Sequence, residues 1–144
     1  MVQSNRLLRR AIVGLGAAVL AAVTLRRARW APVRVEGDSM EPTLPAGSLV
    51  AVAPMRDHPR FGAVVVVRRP GGVEHVKRIV ATPGGRFAVG ADEITLGFDQ
   101  FAVAGDDRAR STDSRHYGPV DRSEISGVAR VCYWPPSAWR VFYR

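Results

Sequence analysis

Two residues of this chain have side chains and settings suited to covalent acyl chemistry. Ser39 lies in a short polar run, Gly37-Asp38-Ser39-Met40-Glu41-Pro42-Thr43-Leu44, which Pro42 and Pro45 stiffen. Gly, Asp, Ser and Pro are also the ordinary turn formers, so an exposed nucleophile and a plain turn residue both fit this serine. Lys77 is the single lysine beside twenty arginines. It sits in His75-Val76-Lys77-Arg78-Ile79-Val80, where period-two geometry puts Lys77 and Ile79 on one face and Val76, Arg78 and Val80 on the other. Aliphatic neighbours on both faces allow the amine to project into apolar surroundings, where desolvation favours its neutral form. A neutral amine can take a proton from a serine hydroxyl, whereas a guanidinium stays charged. A solvated lysine on a strand edge fits the same residues.

A third run, Gly105-Asp106-Asp107-Arg108-Ala109-Arg110-Ser111-Thr112-Asp113-Ser114-Arg115-His116-Tyr117-Gly118-Pro119, is dense in hydroxyls and opposite charges. Its Asp and Arg side chains can hold one another bidentately and fix a loop. Ser111 or Ser114 could then bond a lysine amine. An exposed charged loop is the other reading of the same run.

The elements that must position these groups are short and extended. Residues 33–35, 48–53, 63–68, 73–81, 86–89, 93–96, 101–104 and 126–133 read as strands, separated by Gly and Pro. The unbroken aliphatic run 63–67 suits a strand buried on both faces. No convincing helical period follows Trp30, so the expected fold is mainly β, a compact coiled-sheet or barrel-like domain spanning residues 31–144. Residues 1–30 read as a separate membrane anchor with basic flanks. Arg9-Arg10 and Arg26-Arg27 bracket fifteen uncharged residues, Ala11 to Leu25. That is short of the roughly 20 residues of a usual span, but snorkelling arginines extend its reach. Arg26-Arg27-Ala28-Arg29 is a poor cleavage neighbourhood for a signal peptide, and the segment lacks the polar face of a core helix. An uncleaved single-pass transmembrane helix is expected. Arginines on both sides leave its orientation undecided by charge.

The net charge of +8 invites an anionic partner, nucleic acid or an acidic membrane. An Arg-, Ala-, Gly- and Val-rich composition also follows from a GC-rich coding sequence. The arginines are spread along the chain with no nucleic-acid recognition motif, so no nucleic acid is expected as a partner. The lone Cys132, in an apolar run, reads as a buried thiol and allows no intrachain disulfide. His58, His75 and His116 lack ligand spacing; no metal or cofactor is expected.

Together the runs resemble the type I signal peptidase family, membrane-bound serine proteases with a Ser–Lys dyad. The run from Gly37 to Leu44 looks like the family's nucleophile block. Lys77-Arg78-Ile79-Val80-Ala81-Thr82-Pro83-Gly84 looks like its lysine block, and the run from Gly105 to Gly118 is similar to its last block. Phe61-Gly62-Ala63-Val64-Val65-Val66 resembles the strand block between the first two. The resemblance implies Ser39 as nucleophile and Lys77 as general base. It implies Ser111 as the hydroxyl that steadies the lysine, and Asp113 with Arg115 as a structural ion pair. Substrates would be preproteins, bound as an extended strand, with Met40 as a possible wall of their pocket. The catalytic domain would stand on the extracytoplasmic side of the cell membrane, in contact with its lipids. Gly37 departs from members that carry a serine there as an oxyanion donor, and Asp107 and Arg110 stand where asparagines are common. Little sequence separates Lys77 from the last block, so the large inserted subdomain of some members is expected to be absent. Three alternatives remain at this point: a maturation protease dedicated to one partner, a LexA-like self-cleaving peptidase, and an inactive membrane-tethered binding module.

Overall fold

The computed structural model describes residues 30–142. The expected anchor at 1–30, with its uncharged stretch at 11–25, lies outside them except for Trp30, and among the described residues no helix is long and apolar enough to cross a membrane. Ten strands account for most of the regular structure: β1 (Ala31–Arg34), β2 (Leu49–Pro54), β3 (Val64–Arg68), β4 (Glu74–Ala81), β5 (Arg86–Val89), β6 (Asp92–Thr95), β7 (Gln100–Ala104), β8 (Val120–Asp121), β9 (Ile125–Trp134) and β10 (Arg140–Val141). Among the described residues one short helix, α1 (Ser114–Tyr117), and two 3-10 turns complete the elements. The eight strands expected from sequence all form, with ends shifted by a residue or two. The two-residue strands β8 and β10 and helix α1 are too short to leave a periodic signal.

All pairings are antiparallel, and the main sheet runs β1-β2-β9-β3-β4-β7-β8, with β10 also on β9. Its path is open, so the barrel-like closure considered from sequence is not realised. Closure needs the terminal strands to pair, whereas among the described residues β1 bonds only β2 and β8 bonds only β7. Strand β3 explains why an open sheet still buries both faces. Val64 and Val66 pack with Met40, Leu44 and Val50 in one apolar cluster. Val65 and Val67 pack with Ile79, Phe101 and Val103 in another. The unbroken aliphatic run thus sits between two cores, as its pattern requires. Cys132 is buried in the first cluster. At the C-terminal end Trp134 and Trp139 are exposed while Phe142 packs on that same cluster.

Between β4 and β7 the chain makes only the hairpin β5–β6, pairing Arg86 with Thr95 through Val89 with Asp92. That short excursion brings β7 back beside β4, with Arg78 opposite Ala104. The loop following β7 therefore starts one strand away from Lys77.

Candidate active site

Strand β4 alternates as its sequence indicates: Lys77 and Ile79 are buried, and Lys77 is only 2% exposed. The Lys77 amine donates to Ser39 Oγ at 2.9 Å and to Ser111 Oγ at 3.0 Å. Three segments remote in sequence thus converge on one nitrogen. Burial lowers the Lys77 pKa from its ordinary value; Asp113 opposes that shift and Arg115 reinforces it.

Ser39 is carried on loop 35–48 between β1 and β2. The ladder continues past both strands, with Val35 N–H on the Ser48 carbonyl and Gly47 N–H on the Val35 carbonyl, each at 2.8 Å. Met40 and Leu44 both turn into the first core cluster with no exposed surface. Burying each contributes about 1.5–3 kcal/mol, more than any exposed ion pair at about 0–1 kcal/mol. Apolar anchoring therefore sets where the loop lies. It also defines Met40: the side chain singled out as a possible pocket wall is wholly inside the first core cluster. Gly37 adopts φ +76°, a conformation that disfavours residues with a Cβ. A serine at this position would be strained, which gives the departure at Gly37 a backbone reason.

The loop 105–111 steadies the lysine from the other side. Ser111 Oγ accepts from Lys77 and from Gly105 N–H at 3.1 Å, and donates to Asp113 Oδ2 at 2.6 Å. Because an ionised carboxylate only accepts, the Ser111 hydrogen is committed to Asp113. The lysine must therefore donate to Ser111, which leaves the lone pair of a neutral amine free to face Ser39. Asp113 is 0% exposed and caps α1, accepting from Arg115 N–H. The Arg115 side chain binds it bidentately at 2.8 and 2.6 Å. Burial alone would raise the Asp113 pKa, but the guanidinium, the Ser111 hydroxyl and backbone N–H groups hold it well below the usual carboxylate range. Ser114, the other hydroxyl considered for the lysine, instead accepts from Val103 N–H at 2.9 Å.

Two further residues complete the frame, and sequence reasoning had not singled them out. Arg78, pointing away from Lys77, binds Asp106 bidentately at 2.8 and 2.7 Å and the Gly62 carbonyl at 2.8 Å. The loop's first acidic residue is thereby fastened to the lysine strand. At Gly105 a Cβ would overlap both the Ser111 hydroxyl and the Ser39 carbonyl, so only glycine lets the loops approach. The Gly-Asp pair was a visible signal, but its partners were not.

A cleft of about 420 Å³ includes Ser39 in its lining, together with Val33 and Glu36 on one side and His75 and Val76 on the other. Both sides are strand edges with bonding capacity left over. Among the described residues strand β1 pairs only with β2, and β4 meets β7 only from Arg78 onward. An extended peptide can enter beside the serine with main-chain groups to bond on either hand.

Ser39, Lys77, Ser111, Asp113 and Arg115 are thus linked in one chain of hydrogen bonds. The family model described as "Signal peptidase, peptidase S26" matches residues 8–100 and 93–134. The chain belongs to the signal peptidase family. It is accordingly a serine-type peptidase. It is 37% identical over 117 residues to the mitochondrial ATP-independent inner membrane protease subunit 1a of Arabidopsis thaliana, covering 71% of this chain and 69% of that protein. It is 25% identical over 169 residues to signal peptidase I of Streptococcus pneumoniae, covering 74% and 83%. To mitochondrial inner membrane protease subunit 2 of Mus musculus it is 29% identical over 140 residues, covering 88% and 80%.

Proposed function

We propose that this peptidase is anchored in the membrane by residues 11–25 and cleaves signal peptides from exported preproteins through a Ser39–Lys77 dyad. The observation that carries the reading is the buried Lys77 amine within 2.9 Å of Ser39 Oγ, with its other contact taken by Ser111. Neutral Lys77 accepts the Ser39 proton as the oxygen attacks the scissile carbonyl, and the tetrahedral oxyanion forms against the Ser39 backbone N–H. Lysine then returns the proton to the leaving amine, giving an acyl-enzyme and a free amino terminus. In the second half it takes a proton from water, which attacks the ester and releases Ser39. No further acid is required, because the desolvated amine titrates nearer to working pH than a free lysine does.

The preprotein enters as a strand between β1 and the first half of β4. Membrane-associated relatives support placing the domain at a lipid surface, with the exposed Trp134 and Trp139 and the basic linker facing it. On this reading the catalytic domain stands on the extracytoplasmic side, where exported preproteins would emerge.

The test is cleavage of a preprotein by the detergent-solubilised full chain, compared with Ser39→Ala, Lys77→Ala and Lys77→Arg. All three variants are expected to be inactive while retaining the wild-type melting temperature to within a few degrees. Wild-type rates in any of them refute the dyad. Alkaline carbonate extraction tests the anchor, since release of the full-length protein contradicts a spanning segment.

A further inference from the structure

A second polar constellation flanks Ser39 without touching Lys77. The Arg110 guanidinium spends all three of its nitrogens on carboxylates. Nε binds Asp107 Oδ2 at 2.7 Å, one terminal nitrogen binds Glu41 Oε2 at 3.0 Å, and the other binds Asp38 Oδ2 at 3.2 Å. Asp38 immediately precedes Ser39 and Glu41 follows two residues on. Asp107 reaches the nucleophile directly, its N–H donating to the Ser39 carbonyl at 3.0 Å. Its carboxylate also accepts from the Ala109 and Arg110 backbone N–H groups at 3.0 and 3.2 Å, which folds the loop back so that Arg110 can reach across.

We propose that Arg110 is a positioning residue for acyl transfer, an ionic latch that closes loop 105–111 onto loop 37–44. For its catalytic consequence the proposal rests on the peptidase reading. The latch has two effects. It ties the side chain of Asp38, and with it the Asp38–Ser39 peptide, to the segment that ends at Ser111, so nucleophile and lysine partner keep one relative placement. It also sets a positive charge among three carboxylates close to where an oxyanion develops. Without Arg110 those carboxylates repel one another and oppose that oxyanion. Lysine is a partial substitute, because one compact ammonium cannot present a fork to three separate carboxylates. Arg110 is half exposed, so salt weakens the latch.

The experiment uses the detergent-solubilised full chain and the variants Arg110→Ala, Arg110→Lys and Arg86→Ala. Arg86 forms a similar exposed pair with Glu93 on the remote β5–β6 hairpin and serves as the control. Arg110→Ala is expected to lower kcat for preprotein cleavage about tenfold with KM within about twofold, while Arg110→Lys recovers part of the loss. Raising salt from about 0.05 to about 0.5 M should narrow the gap between wild type and Arg110→Ala. Amide hydrogen exchange is expected to quicken in 38–44 and 105–111 of Arg110→Ala and to stay unchanged in β3. An unaltered kcat, a loss matched by Arg86→Ala, or a loss insensitive to salt overturns the positioning role. Unaltered exchange in both loops overturns the latch whether or not the chain cleaves anything. If Ser39→Ala cleaves like wild type, the peptidase reading fails, and the exchange measurement decides the latch by itself.

Discussion

Replacing Ser111 by alanine probes the support of Lys77 without touching either member of the proposed dyad. The hydroxyl makes three hydrogen bonds: to the Lys77 amine at 3.0 Å, to Gly105 N–H at 3.1 Å and to Asp113 Oδ2 at 2.6 Å. All three partners keep another contact, Lys77 with Ser39 Oγ at 2.9 Å. Gly105 N–H retains Asp113 Oδ2 at 3.0 Å, and Asp113 retains both arms of Arg115. The fold therefore loses little, about 1–2 kcal/mol for weakened bonds at a buried site. In the proposed mechanism Lys77 fares worse, since Ser111 is the acceptor that would fix which way its lone pair points. A hydrogen bond to a charged or developing-charge group contributes about 1.5–3 kcal/mol, and about 1.4 kcal/mol is tenfold in rate. Ser111→Ala should thus lower kcat for preprotein cleavage roughly 10- to 100-fold, with KM almost unchanged because the cleft does not include this side chain. Ser111→Thr, which keeps the hydroxyl, should recover much of the loss. Steady-state kinetics, with a melting curve on each variant, decide the matter. A kcat within threefold of wild type, or a loss expressed only in KM, would refute the claim that Ser111 orients the lysine.

Three other outcomes follow from the same geometry. Burial lowers the Lys77 pKa, so kcat/KM should rise with pH as the amine loses its proton, with its midpoint below the ordinary lysine value of 10.5; a midpoint at or above that value contradicts a desolvated base. Asp113 is held below the usual carboxylate range, so its contribution to stability is complete above the unfolded value of 3.8 and is lost as pH falls through the depressed native value. Melting temperature measured against pH should show that acid loss in wild type and a flatter profile in Asp113→Asn, which starts from lower stability at neutral pH. Gly105→Ala should cost about 1–3 kcal/mol by overpacking and should cut activity further than its melting temperature explains, because the added methyl meets Ser39 and Ser111 together; wild-type kcat in a folded Gly105→Ala protein would contradict that crowding.

Much of the fold was legible because strands with a buried face carry a period that survives in the residue order. The run 63–67 reported burial on two faces, and the alternation around Lys77 put that residue inward with Ile79. Turn chemistry marked the loops through Gly and Pro. The helix α1 and strands β8 and β10 left no such trace, since two to four residues do not complete a period. An open sheet and a closed barrel likewise share one alternation, and only the pairing of β1 and β8 with a single neighbour each distinguished them.

The candidate site divides along the same line. Residue types alone determined the cast: one lysine among arginines as the group able to become a neutral amine, a serine in a stiff turn, and a loop rich in hydroxyls and paired charges. Which hydroxyl faced the lysine was open between Ser111 and Ser114, two side chains three residues apart with equal chemistry. The turn into α1 settled it, directing Ser111 to Lys77 and Ser114 to the Val103 backbone. Met40 shows the converse, as adjacency to Ser39 in sequence said nothing about direction and the core took the side chain. The pairings of Arg78 with Asp106 and of Arg110 with three carboxylates were unreadable for a physical reason. Every acid and base in these loops is chemically able to pair with several others, and only the approach of β4, loop 37–44 and loop 105–111 to within about 3 Å selects which pairs form.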